Sequence, residues 1–113
     1  MIPKKNRVHK ALFDLIYTTG SPVHSPLFYL LYINNSNSIQ KFSFVVSKKI
    51  AKSAVIRNKL RRRGYSIIRK YNDFFNKNIQ CVIFLKFGAQ KLTFKEYEEQ
   101  IVFLFKKAKI LLQ

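Results

Sequence analysis

The chain has 113 residues, 48% of them hydrophobic, with 22 Lys or Arg against 5 Asp or Glu and a formal net charge of +17. That length is one domain, and 11 Phe with 6 Tyr supply bulk for one modest core, so disorder is excluded despite the charge. No run approaches the roughly 18 apolar residues of a membrane span, and the single cysteine, Cys81, has no partner for an internal disulfide.

Residues 1–9 are basic and polar, an extended arm ahead of a helix. Met1-Ile2-Pro3-Lys4-Lys5 is not followed by the apolar region of a signal peptide, and the expected location is cytoplasmic. Residues 10–19, KALFDLIYTT, suit a short helix, with Gly20 placed for a left-handed C-terminal position. Phe13 and Tyr17 are i, i+4 neighbours on it, and Leu12, Leu15 and Ile16 spread around the rest. Such a helix is buried on more than one side or lines a cleft. Pro22 and Pro26 exclude a helix from the next link but leave room for a very short strand.

Residues 27–33, LFYLLYI, predict a strand apolar on both faces, hence central or doubly covered. Residues 34–38 are a turn cluster, and 41–47 alternate Phe42, Phe44 and Val46 against Ser43, Val45 and Ser47. The two strands are expected to form a hairpin, with Phe42, Phe44 and Val46 in the core.

Residues 48–70, KKIAKSAVIRNKLRRRGYSIIRK, hold ten Lys or Arg among 23 residues and no acid. At 100° per residue Ile56, Leu60, Ile67 and Tyr71 form one stripe, with Asn58, Arg61, Arg62, Tyr65 and Arg69 roughly opposite. Lys59 and Lys70 flank the stripe. Ser53 is the expected N-cap, and Asn72-Asp73 the end. Uncompensated like charges on a helix repel, and a polyanion relieves that cost, so the basic face points to nucleic acid. Gly64 costs about 1 kcal/mol against Ala inside a helix, which close approach to the sheet or to RNA would offset.

Residues 80–86, QCVIFLK, predict another strand apolar on both faces, with Cys81 a buried thiol. Gly88-Ala89-Gln90 is a link. Thr93-Phe94-Lys95-Glu96 fits a capping box before a final helix that buries Phe94, Tyr97, Ile101, Leu104, Phe105, Ala108 and Leu112. Its glutamates lie near the start and its lysines near the end, as the helix dipole favours.

Arg57-Asn58-Lys59, set within SKKIAKSAVIRNKLRRR, resembles the signature of the bacterial ribonuclease P protein subunit. Ser47, Lys48, Lys49, Arg57, Asn58 and Arg62 match it, Lys59 and Arg61 are Arg/Lys exchanges, and Arg69 matches a later basic position. The Lys5-Asn6-Arg7 arm, Phe13, Gly20, strand 27–33 and the Glu-rich last helix also have counterparts. Arg63, Gly64 and Tyr65 depart, standing where the family more often has two aliphatics and a basic residue.

The resemblance implies a small α/β (α+β) two-layer sandwich in the order α-β-β-β-α-β-α. Its small mixed sheet has a left-handed β-α-β crossover, like the second domain of a ribosomal small-subunit protein. It implies a single RNA-binding domain over 1–113, in which segment 48–71 binds a large catalytic RNA. The RNA-contacting residues would be Lys48, Lys49, Lys52, Arg57, Asn58, Lys59, Arg61, Arg62, Tyr65 and Arg69. The 5′ leader of precursor tRNA would lie in a cleft made by Phe13, Tyr17, Tyr29 and Leu31, whose aromatic faces stack on unpaired bases of any sequence. The RNA, with Mg²⁺ held mainly by its phosphates, would cleave the phosphodiester bond to give the mature 5′ end. One monomeric copy would serve each RNA.

The residues themselves carry little protein chemistry. His9 and His24 lie in the arm and link, Asp14 and Asp73 are isolated, and no Cys/His spacing for zinc or phosphate-binding Gly loop occurs. Asn58, by its place in the motif, is the one candidate to order a hydrated ion. Two rival readings are a ribosomal or general RNA-binding protein without a role in tRNA processing, and a membrane-surface protein using its basic amphipathic helix.

Overall fold

Each element is bounded by the chemistry of its ends. The computed structural model describes residues 7–36 and 39–111; Lys5 and Asn6 of the arm and Leu112 lie outside them. Helix α1 (Lys10–Thr19) starts where the His9 imidazole accepts the Leu12 N–H at 3.3 Å. It ends where the Thr18 and Thr19 hydroxyls donate back to the Asp14 and Leu15 carbonyls. Gly20 is not left-handed as expected but extended, with φ −69° and ψ 152°. The chain runs straight into strand β1 (Ser21–His24), so no reversal is needed, yet a Cβ at Gly20 would strike the Ile16 carbonyl oxygen.

Strands β2 (Phe28–Asn34), β3 (Lys41–Val45) and β4 (Ile79–Leu85) complete one four-stranded sheet in the order β1-β2-β4-β3. β1 turns into β2 at Ser25, whose N–H donates to the Phe28 carbonyl at 2.9 Å and whose Oγ accepts the Phe28 N–H. The expected β2–β3 hairpin does not form. β4 lies between the two, antiparallel to β2 and parallel to β3. β4 is buried almost throughout, so it needs a neighbour on each edge, while β3 alternates buried with half-buried residues and tolerates the sheet edge. The chain reverses direction between β2 and β3, but a local turn cannot dictate which strand pairs with which.

Alternation sorts the sheet into two faces. Phe28, Leu30, Phe42, Phe44, Ile79, Cys81, Ile83 and Leu85 share the main core with helices α2 (Ala54–Lys70) and α3 (Phe94–Ala108). The reverse face presents Tyr29, Leu31, Ile33, Val45, Val82 and Phe84, and α1 covers part of it with Leu12 and Ile16. The element order is the one anticipated, with α2 crossing between the parallel neighbours β3 and β4.

The Ser53 hydroxyl caps α2 by accepting the Ile56 N–H. The buried side of α2 is Leu60, Gly64, Tyr65, Ile67 and Ile68, a sector rolled by roughly 60° from the expected stripe at 100° per residue. Ile56 is therefore 42% exposed, and Tyr65 is buried at 5%. Phe44 sets the roll: it packs where a Cβ on residue 64 would be, which draws the Gly64 side of the helix onto the sheet. α3 has the expected capping box, with Glu96 N–H to Thr93 Oγ1 and Thr93 N–H to Glu96 Oε1. It buries Tyr97, Ile101, Leu104, Phe105 and Ala108, but Phe94, in its first turn, is 44% exposed. The Tyr97 hydroxyl donates to the Leu60 carbonyl at 3.0 Å and ties α3 to α2.

Candidate nucleic-acid interface

Between β3 and α2 the chain makes a tight turn, with the Ile50 and Ala51 N–H groups both donating to the Ser47 carbonyl. Ile50 is buried and anchors the turn, which leaves Lys48, Lys49 and Lys52 exposed. Arg57 reaches back from the first turn of α2, donating through Nη1 to the Ala51 carbonyl at 3.0 Å and the Lys52 carbonyl at 2.8 Å. The guanidinium thus holds the lysine-bearing turn to the helix while keeping further donors available.

Along α2, Asn58 Oδ1 accepts from the Arg61 guanidinium. Lys59, Arg62 and Arg69 are exposed. Arg63 instead donates to the Leu92 carbonyl at 3.2 Å and joins α2 to the segment before α3. Lys70 pairs with Glu98 at 2.7 Å, and that hydrogen bond raises the lysine pKa. Among the described residues no other carboxylate pairs with this segment, so its field is uncompensated. Tyr65 does not belong to this face. Its ring packs edge-on to Phe44 with centroids 5.4 Å apart, and its Oη accepts the Phe44 N–H. The helical roll that buries Gly64 carries it inward.

The second surface is aromatic. Phe13 and Tyr17 stack in α1 with centroids 6.1 Å apart and planes 11° apart. Both meet Phe84 edge-on, at 6.1 and 6.4 Å, and Tyr29 lies 5.6 Å from the same ring. Tyr17 is 63% exposed, whereas Leu31 is 4% exposed and serves as floor beneath the rings. Phe84 is the centre of the group, and sequence reasoning missed it. The only signal was alternation within β4, where apolar residues on both faces hid which side Phe84 takes. His24, across from Tyr29 in the β1–β2 register, extends the row with a ring distance of 4.4 Å.

The two surfaces meet. Val45, the last residue of β3, pairs with Phe84, and two residues later Ser47 opens the lysine-bearing turn. The basic segment therefore begins at the end of the aromatic cleft.

Neither surface has the donor set for a resident metal. Asn58 Oδ1 already accepts from the Arg61 cation, which disfavours a second positive charge there. No group of three or more His, Cys, Asp or Glu capable of holding an ion occurs among the described residues. Cys81 is fully buried, and burial pushes its thiol far up, away from the reactive thiolate. No helix among the described residues is long and apolar enough to cross a membrane.

This chain is similar over nearly its whole length to known proteins. It is 27% identical over 109 residues to the ribonuclease P protein component of Syntrophomonas wolfei, covering 96% of this chain and 91% of the relative. It is 28% identical to the protein of the same name from Pseudanabaena, covering 98% and 97%. Its fold superposes on a Staphylococcus aureus RNase P protein mutant with defective mRNA degradation activity. That match has a TM-score of 0.87 at 25% identity and covers 96% and 92% of the two chains. The sequence profile of the family described as Ribonuclease P matches residues 2–109. With the family profile spanning residues 2–109 and the fold superposing along nearly the whole chain, the chain belongs to the ribonuclease P protein family.

Proposed function

We propose that this chain is the protein subunit of ribonuclease P, acting in removal of the 5′ leader from precursor tRNA. The observation that carries the reading is the junction of two unlike surfaces at Val45 and Phe84: uncompensated cations on one side, stacked rings on the other. The cations of the turn and α2 engage the phosphates of the catalytic RNA and anchor the subunit. Tyr17, Phe13, Phe84 and Tyr29 receive unpaired leader bases, which stack without sequence readout, as a leader that differs between tRNAs requires. Leu31 supports the rings from below and does not itself stack.

The protein supplies binding and orientation. Bond cleavage belongs to the RNA, whose phosphates hold Mg²⁺. Each copy presents one basic face and one cleft, which suits one subunit per RNA. The test is to mix the protein with its cognate catalytic RNA and a precursor tRNA at low Mg²⁺. Faster cleavage at the mature 5′ end than with RNA alone is expected; no acceleration would overturn the reading.

A further inference from the structure

On the outer side of the helix pair, Tyr71 with Glu98, Glu99, Val102, Phe103 and Lys106 of α3 lines a hollow of about 290 Å³. A neighbouring hollow of about 220 Å³ shares Tyr71, Val102 and Lys106 and adds Phe74. Phe103 is 59% exposed and Phe74 49%, large rings with no structural duty. Nothing in the leader-cleft or basic-face reading uses this place.

The lining is chemically mixed in an ordered way. Glu99, Phe103 and Lys106 follow at i, i+4 and i+7, so a carboxylate, a ring and an ammonium run along one side of α3. Glu98 is committed, accepting from Lys70 and from the Tyr71 hydroxyl at 3.2 Å. Glu99 and Lys106 have no side-chain partner among the described residues.

Each feature narrows the ligand. The net charge of +17 and Lys106 disfavour a cationic peptide. Two carboxylates disfavour a bare phosphate. The apolar floor and exposed rings favour a flat aromatic body. A carboxylate accepts only, through two oxygens, so it selects a body with two adjacent N–H donors. Among the bases only guanine has that pair on its Watson–Crick edge, N1–H beside N2–H₂. In adenine, cytosine and uracil the donor adjoins an acceptor that the carboxylate repels.

We infer that this hollow binds an unpaired guanine nucleotide of RNA. The base lies against Phe103 and Tyr71, N1–H and N2–H₂ donate to the Glu99 carboxylate, and the phosphate meets Lys106. Base–aromatic stacking supplies affinity, and Glu99 supplies discrimination, because an unmatched edge leaves its charge facing an acceptor. Lys70, at the end of α2, lies beside the hollow through its ion pair with Glu98. The inference is independent of the leader-cleft reading.

The test compares two single-stranded RNAs of equal charge, AAGAA and AAAAA, titrated into the full-length protein with amide chemical shifts as readout. Wild type should bind AAGAA at least about fivefold more tightly, with shifts at Glu99–Lys106. Glu99→Gln should reduce that preference below about twofold, while AAAAA binds as well as before or better, since a negative charge has gone. Phe103→Ala should abolish the shifts there. Both positions are exposed, and an unchanged urea midpoint will show that the fold is kept. Equal wild-type affinity for the two RNAs, a preference that survives Glu99→Gln, or shifts confined to α2 and the cleft would each overturn the inference. So would free 5′-GMP binding as tightly as AAGAA, which would make the ligand a mononucleotide.

Discussion

Phe44 lies so close to Gly64 that a Cβ on residue 64 would sit 2.5 Å from its ring. Phe44 is buried at 3% and held edge-on by Tyr65, so it has no room to retreat. Gly64→Ala gains about 1 kcal/mol of helix propensity but overpacks the core, which typically costs about 1–3 kcal/mol. The expected outcome is a lower urea midpoint, corresponding to a net stability loss of about 1 kcal/mol. A higher midpoint would mean that Phe44 can yield.

Phe84 touches Phe13, Tyr17 and Tyr29 at once, so the cleft depends on it more than on any ring named from sequence. Phe84→Leu keeps an apolar filler in place and removes the stacking face. The ratio of affinities for precursor and mature tRNA should fall about tenfold, as one lost stack of about 1–3 kcal/mol implies. Competition binding with the assembled holoenzyme measures it. Equal losses for both tRNAs would place the leader elsewhere.

Arg57 and Arg62 should not behave alike. Arg62 is exposed, and Arg62→Ala should weaken binding to the catalytic RNA and reduce the salt slope by about one. Arg57 also holds the Ala51 and Lys52 carbonyls, so Arg57→Ala should free the lysine-bearing turn and produce the larger loss. Salt titrations separate the two. Identical slopes and losses would show that the tether to the turn does not matter.

Burial raises the pKa of both the Cys81 thiol and the Tyr97 hydroxyl, from ordinary values of 9.0 and 10.0. Above pH 9 the unfolded chain loses protons that the folded chain keeps, so stability falls as pH rises; below pH 9 neither group changes it. Cys81 contributes most between pH 9 and 10, at up to about 1.4 kcal/mol per pH unit. Tyr97, and Tyr71, whose pKa burial and its bond to Glu98 also raise, take over nearer pH 10 and above. Urea unfolding across pH 8–11 should show this, and Cys81→Ala should remove most of the slope between pH 9 and 10. The raised Tyr97 matters structurally too, because its proton makes the bond to the Leu60 carbonyl.

Helix starts, and the expectation of a polyanionic partner, are legible in the chain alone. Ser53 and the Thr93–Glu96 box mark helix starts through short-range hydrogen bonds, which depend only on neighbours in the chain. Charge is additive, so ten cations in 48–70 announce a polyanion wherever the helix turns. Phe13 and Tyr17 meet because they are one helical turn apart. Tertiary structure decided what depends on distant residues. β4 displaced the local hairpin because a strand apolar on both faces requires two neighbours. Phe44 rolled α2, burying Tyr65 and exposing Ile56, because close packing admits one orientation and periodicity alone allows several. Phe84 joined the cleft because the register of β4 against β2 and β3 fixed its face, and strand register is a property of the sheet rather than of the strand.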